Sequence, residues 1–215
     1  MDTQKTKIKT KNIKGIMTTT NSSTIKVQKR DGRQEPLDIN KIHFVVEEAC
    51  EGLPGVSASQ IEMNANIQFY DGMTTKDIQN VLVRSANDLI SLEAPNYQYA
   101  AARLLSYDVR KEAHGQYEYI PLLKLIVRNI RLGVYDKGIV EKYSKTELKK
   151  LNTWIKRDRD LNFTYAGLRQ VVDKYLVQDR STGQIYETPQ DMYMMIAATL
   201  FADYPTKTRM AYVKK

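Results

Sequence analysis

The chain has 215 residues, 42% hydrophobic and 27% charged, which is enough for one large or two small domains with cores and unlike collagen or a wholly disordered chain. A single cysteine, Cys50, excludes an internal disulfide framework and a multi-cysteine zinc site; with His43 and His114 as the only histidines, neither a His-ligated metal nor a Ser-His-Asp triad is expected, and no catalytic residue or metal ligand is assigned. The formal charge is +8, yet Lys5, Lys7, Lys9, Lys11 and Lys14 against Asp2 place half of that excess in the first 24 residues, so the body is only mildly basic and nucleic acid is not the expected partner.

Residues 1–24, eleven of them Ser, Thr or Asn, read as a disordered basic tail. No apolar run approaches the roughly 18 residues of a membrane span, and the tail lacks the apolar block of a secretory signal, so the expected setting is soluble and cytoplasmic. Order begins at Ile25. Ile25 and Val27 alternate with Lys26 and Gln28, and the Asp31-Gly32 pair ahead of Gln34 to Asp38 predicts a hairpin with a type I′ turn. Asp38 or Asn40 caps a helix carrying Ile42, Val45, Val46, Ala49 and Leu53 at helical spacing, with Gly52 as its stop. Ser57 with Gln60 matches a capping box ahead of Ile61, Ala65 and Phe69, and Thr74 or Thr75 caps a helix with Ile78, Val81, Leu82, Ser85 and Leu89 on one face. Pro95 suits the first turn of a fourth helix bearing Tyr97, Ala101, Leu104, Leu105 and Tyr107.

Beyond Gly115 the pattern changes to shorter, tyrosine-rich helices. Pro121 opens one that stops at Gly133, and two short runs around Asp179-Arg180-Ser181-Thr182-Gly183 predict a second hairpin. Thr188-Pro189 caps a helix, and Pro205 starts another. Arg157-Asp158-Arg159-Asp160 reads as a solvated charge run, and Met192, Met194 and Met195 as core filling. The fold class is therefore mainly α: a small hairpin lid over four helices, then a second helical region with one further hairpin. The expected division is a tail over 1–24, a small unit over 25–113 and a helical region over 114–215. Cations on the first hairpin and on the next helix's first turn would converge on phosphates.

Val27-Gln28-Lys29-Arg30-Asp31-Gly32, Glu35, Leu37-Asp38 and Lys41-Ile42 resemble the ATP-cone, a nucleotide-binding regulatory domain. Ile67-Gln68-Phe69-Tyr70-Asp71-Gly72, Ala94-Pro95-Asn96-Tyr97-Gln98-Tyr99, Ala101-Ala102-Arg103-Leu104, and Tyr175-Leu176-Val177-Gln178 through Thr182-Gly183-Gln184-Ile185-Tyr186-Glu187 are similar to the N-terminal region of the large subunit of class I ribonucleoside-diphosphate reductases. The resemblance implies an overall-activity site where ATP keeps the enzyme active and dATP switches it off. Its nucleotide-contacting set would be Val27, Lys29, Arg30, Glu35, Leu37, Asp38, Lys41, Ile42, Thr75, Gln79 and Lys111. Lys29, Arg30, Lys41 and Lys111 would hold phosphates; Val27, Leu37 and Ile42 would flank the base; Glu35 and Asp38 would contact base or sugar. Gln79 departs from the histidine common at this position in related bacterial enzymes.

The implied effector is ATP or dATP with magnesium. The implied partners are the barrel-bearing remainder of the large subunit, which carries the redox and radical cysteines, and the small, radical-generating subunit, in a holoenzyme that is a homo-oligomer of large subunits. The chain is expected to be a split or truncated large subunit, stopping before the barrel and inactive alone. The alternative is a free-standing ATP/dATP-sensing module. The helices after Thr188 are expected to expose Met192, Ile196, Leu200, Tyr204 and Tyr212 to a partner.

Overall fold

A computed structural model describes residues 25–215, so the basic tail expected over 1–24 lies outside the described residues. The first hairpin pairs β1 (Lys26–Gln28) with β2 (Gln34–Pro36) in antiparallel register, Val27 opposite Glu35. Its turn differs from the predicted type I′ form. Lys29 N–H donates to the Arg33 carbonyl at 2.8 Å and Gly32 N–H to the Lys29 carbonyl at 2.9 Å, with Gly32 at φ +85°. The result is a turn over 29–32 ending in a left-handed glycine, because the Asp31 carboxylate accepts from both Arg33 N–H (3.1 Å) and Arg33 Nε (2.8 Å) and pulls Arg33 into the loop.

The helices begin where caps were expected. Asp38 accepts from the amides of Asn40 and Lys41 at the start of α1 (Ile39–Cys50). At α2 (Ala58–Asn66) the Ser57 hydroxyl caps Gln60 N–H, but the return half of the predicted box runs through a tyrosine: Ser57 N–H donates to Tyr97 Oη, whose hydroxyl donates to Gln60 Oε1 at 2.6 Å. A two-residue strand, β3 (Met73–Thr74), leads into α3 (Thr75–Asp88), capped by Thr74. Sequence alternation gave no sign of β3. It is parallel to β1, giving the sheet order β2-β1-β3, and two side contacts hold it: Lys26 N–H donates to Asp71 Oδ1 and Gly72 N–H to the Lys26 carbonyl.

Pro95 precedes α4 (Tyr97–His114), which ends at left-handed Gly115. Ala100, Ala101, Ala102 and Leu104 of this helix have no exposed surface, and the small side chains let neighbours close on it from several sides. One buried core joins the sheet's Val27 and Met73 to α1–α4 and continues into α8 through Leu168 and Val172. The helices that follow are α5 (Leu122–Arg131), α6 (Gly138–Lys142), α7 (Lys145–Trp154), α8 (Tyr165–Lys174), α9 (Pro189–Leu200) and α10 (Thr206–Lys214), with a 3₁₀ segment at Arg157–Asn162. A second core gathers Leu122, Leu125, Ile126, Leu148 and Leu151 with Met194 and Ala198. The second hairpin shrinks to a single bridge, Gln178 opposite Ile185, because the Asp179 side chain binds the amide and hydroxyl of Ser181 inside a long turn.

The charge run at 157–160 is only half solvated. Asp158 and Arg159 are exposed, but Asp160 is fully buried, and Arg157 reaches Asp191 Oδ1 at 2.6 Å. A 3₁₀ segment places residues three apart on one side, so the run cannot present all four charges to water. Asp191 also lies 3.2 Å from His114 Nε2, and both side chains are inaccessible. Burial alone would raise the Asp191 carboxyl pKa, but His114 and Arg157 outweigh it and hold the group below the ordinary carboxylate range. Of the five residues expected to lie open after Thr188, Ile196, Leu200, Tyr204 and Tyr212 are exposed, whereas Met192 is buried in the first core, in keeping with its other reading as core filling.

Burial pushes the Asp160 carboxyl up to about 7, outweighing the neighbouring Gln190 and Arg157, which favour its charged form. The unfolded chain releases that proton near pH 3.9, so the folded state loses stability as pH rises from about 4 to about 7. Urea unfolding at pH 5 and pH 8 should show this loss, on the order of 3 kcal/mol. Asp160→Asn should flatten the pH dependence and be the more stable protein at pH 8; an unchanged slope would contradict the assignment.

Candidate functional site

The parallel pairing of β1 with β3 sets Val27 opposite Met73 and Gln28 opposite Thr74, so the hairpin sits over the start of α3. Strand alternation turns Val27 inward while Lys26 and Gln28 face water. The hairpin then runs into α1 through Leu37 and Asp38. Beneath it lies a cleft of about 140 Å³ walled by Val27, Lys29, Glu35, Pro36, Leu37, Asp38, Lys41, Ile42 and Val45, by Thr75, Ile78, Gln79 and Leu82 of α3, and by Lys111 of α4. Ten of the eleven site residues expected from the sequence meet here. The floor is apolar, from Val27, Leu37, Ile42, Val45, Ile78 and Leu82; the rim is charged.

Carboxylates partner most of the rim cations. Lys29 Nζ lies 3.3 Å from Glu35 Oε2, whose other oxygen is 3.4 Å from Arg33, and Lys41 Nζ lies 3.6 Å from Asp38 Oδ2. Lys111 has no carboxylate within 4 Å among the described residues; its ammonium lies 5.5 Å from the centre of the Tyr117 ring. Burial, reinforced by Arg30 and Lys29, lowers its pKa. Gln79 is buried, and its Nε2 donates to the Leu104 carbonyl at 2.8 Å, which fixes the side chain against α4 and leaves Oε1 for another partner.

Arg30, the eleventh residue, stands apart. Its NH2 lies 2.7 Å from Asp108 Oδ1 on α4, and it lines a neighbouring cleft with Lys76, Glu112, Asp179 and Gln184; Lys29 and Thr75 border both clefts. Sequence reading missed Asp108 and Glu112. The available signal was one carboxylate inside the otherwise uncharged run Leu104 to Val109 and a second at i+4. Cys50 stands away from this cleft, and burial pushes its thiol up to about 11, so it is not a thiolate at neutral pH.

Residues 25–112 match the family model described as ATP cone domain, and residues 161–215 that described as ribonucleotide reductase, all-alpha domain. The chain is 47% identical over 194 residues to the ribonucleoside-diphosphate reductase 1 subunit alpha of Salmonella typhimurium, covering 90% of this chain and 26% of that protein. It is 48% identical over 189 residues to the Escherichia coli protein of the same name, covering 88% and 25%. The chain carries an ATP cone domain and a ribonucleotide reductase all-alpha domain, and its homologues are ribonucleoside-diphosphate reductase alpha subunits. It corresponds to the N-terminal part of those subunits and spans about a quarter of the length of the curated relatives it matches. A phage relative, the alpha subunit of Enterobacteria phage T4, is 43% identical over 183 residues, covering 84% of this chain and 24% of its own. The cleft lies wholly within the cone match. No helix among the described residues is long and apolar enough to cross a membrane.

Holding a desolvated ammonium among other cations costs the fold stability that a neutral side chain of similar shape would not. Lys111→Met should therefore raise the thermal midpoint at pH 7, by about 2–4 °C for each kcal/mol relieved. The wild type should close the gap as pH rises toward the ordinary lysine value near 10.4, where the folded ammonium gives up its proton first. Calorimetric melting of both proteins at pH 7 and pH 9.5 measures this, and a lower midpoint for the variant at pH 7 would contradict it.

Proposed function

We propose that this chain is the effector-binding N-terminal part of a ribonucleoside-diphosphate reductase, taking ATP or dATP in the cleft under the first hairpin. The observation that carries the proposal is the meeting of ten motif residues from the hairpin, α1, α3 and α4 around one apolar floor with a cationic rim. Val27, Leu37 and Ile42 would take the base. Lys29, Lys41 and Lys111, with Arg30 from the next cleft, would take the phosphates, and Glu35 and Asp38 would reach base or sugar. Magnesium would arrive with the triphosphate, since the rim carboxylates are oxygen ligands of the kind it favours. A volume of about 140 Å³ is smaller than the roughly 300–1,000 Å³ of small-molecule sites, so the phosphates extend past Lys29 toward the second cleft or the hairpin lifts on binding.

In this reading the unit over 25–113 senses nucleotide, and the region over 114–215 introduces the barrel-bearing remainder of the large subunit. Together with the small, radical-generating subunit, in the cytoplasm and in a holoenzyme oligomeric in the large subunit, these parts would convert ribonucleoside diphosphates to deoxyribonucleoside diphosphates. ATP and dATP differ by one hydroxyl, so regulation requires that they favour different conformations of the cone. The all-alpha match over 161–215 favours an enzyme part over a free-standing sensor. Co-purification with the barrel-bearing remainder separates the two.

Charge-assisted contacts contribute about 1.5–3 kcal/mol each, so Lys29→Ala or Arg30→Ala should weaken binding of magnesium-ATP by about tenfold or more in calorimetry. No binding by the wild type, or unchanged binding by both variants, would contradict the proposal. Gln79→His should raise the preference for dATP over ATP; an unchanged ratio of the two affinities would mean that position 79 does not set discrimination.

A further inference from the structure

Apart from Lys111, the cations lining the two clefts are held in pairs. Lys29 lies against Glu35, Arg30 against Asp108 at 2.7 Å, and Lys76 against Glu112 at 3.1 Å. The carboxylates differ in their access to water. The Glu35 side chain is 36% exposed and is rehydrated when its lysine leaves, whereas Asp108 is 10% exposed and relies on Arg30 for compensation. The Arg30 guanidinium is itself 41% exposed and borders the second cleft, so an anion can approach it from the side opposite Asp108. One turn along α4, Lys111 enters the first cleft from the same helix face.

We propose that Asp108 is the internal competitor for Arg30, a built-in counter-ion that the phosphates of a bound nucleotide must displace and that thereby sets the affinity of the cleft for polyanions. The inference rests on the nucleotide reading above. Asp108 opposes the ligand twice: its charge repels the phosphates, and its buried carboxylate loses its nearest cation when Arg30 turns to them. The other charges facing it are Lys76 of α3 and Lys111 and Glu112 of α4. Burial already favours the neutral form of Asp108, so releasing Arg30 favours it further. The same pair holds the turn closed over α4 when no anion is present.

The test is calorimetric titration of the whole chain with magnesium-ATP and, separately, with adenosine. Asp108→Asn keeps the shape and removes the charge. It should bind magnesium-ATP about five- to tenfold more tightly than the wild type, within the usual range of coupling between sites, while adenosine binding stays the same. In an Arg30→Gln background the gain should disappear. Asp108→Ser, smaller and also neutral, serves if the asparagine variant does not fold. Equal or weaker magnesium-ATP binding by the neutral variants would overturn the inference and make Asp108 a support that orients Arg30. An equal gain for adenosine would overturn it too, since no phosphate would then be involved. A wild-type chain that binds neither ligand would overturn the nucleotide reading itself.

Discussion

Ala100, Ala101 and Ala102 have no exposed surface, and Leu104 beside them has none either. This run lets α1, α3 and α8 pack closely against α4, and the close packing is the constraint on which the rest of the described structure depends. With α3 held there, Gln79 can donate to the Leu104 carbonyl and present its remaining oxygen to the cleft. With α4 fixed, Lys111 falls in the first cleft, Glu112 in the second and Asp108 against Arg30, and His114 lies against Asp191 at the start of α9. A larger side chain at any of the three alanines would push apart elements that supply opposite walls of one site.

The sheet is the second constraint and a weaker one. Three strands of two or three residues make few hydrogen bonds, and the lid is fastened mainly by Val27 in the core, by the Asp71 carboxylate at Lys26 and by the Arg30–Asp108 pair. A short, lightly pinned lid over a charged rim suits a site whose occupant must enter and leave. The rim is costly to the fold: Lys111 is desolvated among cations, and Asp108 is buried with a single close partner. Such groups are kept where a ligand, rather than the fold, supplies their compensation.

Much of the fold was legible because local rules decided it. Asp38, Ser57, Thr74 and Thr188 cap helices as their side chains allow, and the apolar spacing of α1, α3 and α4 marks faces that are buried. The ten cleft residues were reachable only through the motif, since helical periodicity does not say which faces of distant helices meet. What escaped was non-local. The β3 strand exists because β1 offers it an edge, and two residues carry no alternation to read. Arg157 turns inward because Asp191, more than thirty residues on, waits for it in the core. Arg30 belongs to the motif yet pairs with a carboxylate 78 residues away, a partner that no spacing rule proposes.

In the proposed function, nucleotide binds in the cleft under the first hairpin. Hydrogen exchange of the intact protein with and without magnesium-ATP tests it most directly. Slower exchange is expected at the amides of residues 27–33, 37–42 and 74–79 when nucleotide is present, with little change in α5–α7. Protection confined to α9 and α10, or exchange around the hairpin that nucleotide leaves untouched, would contradict it.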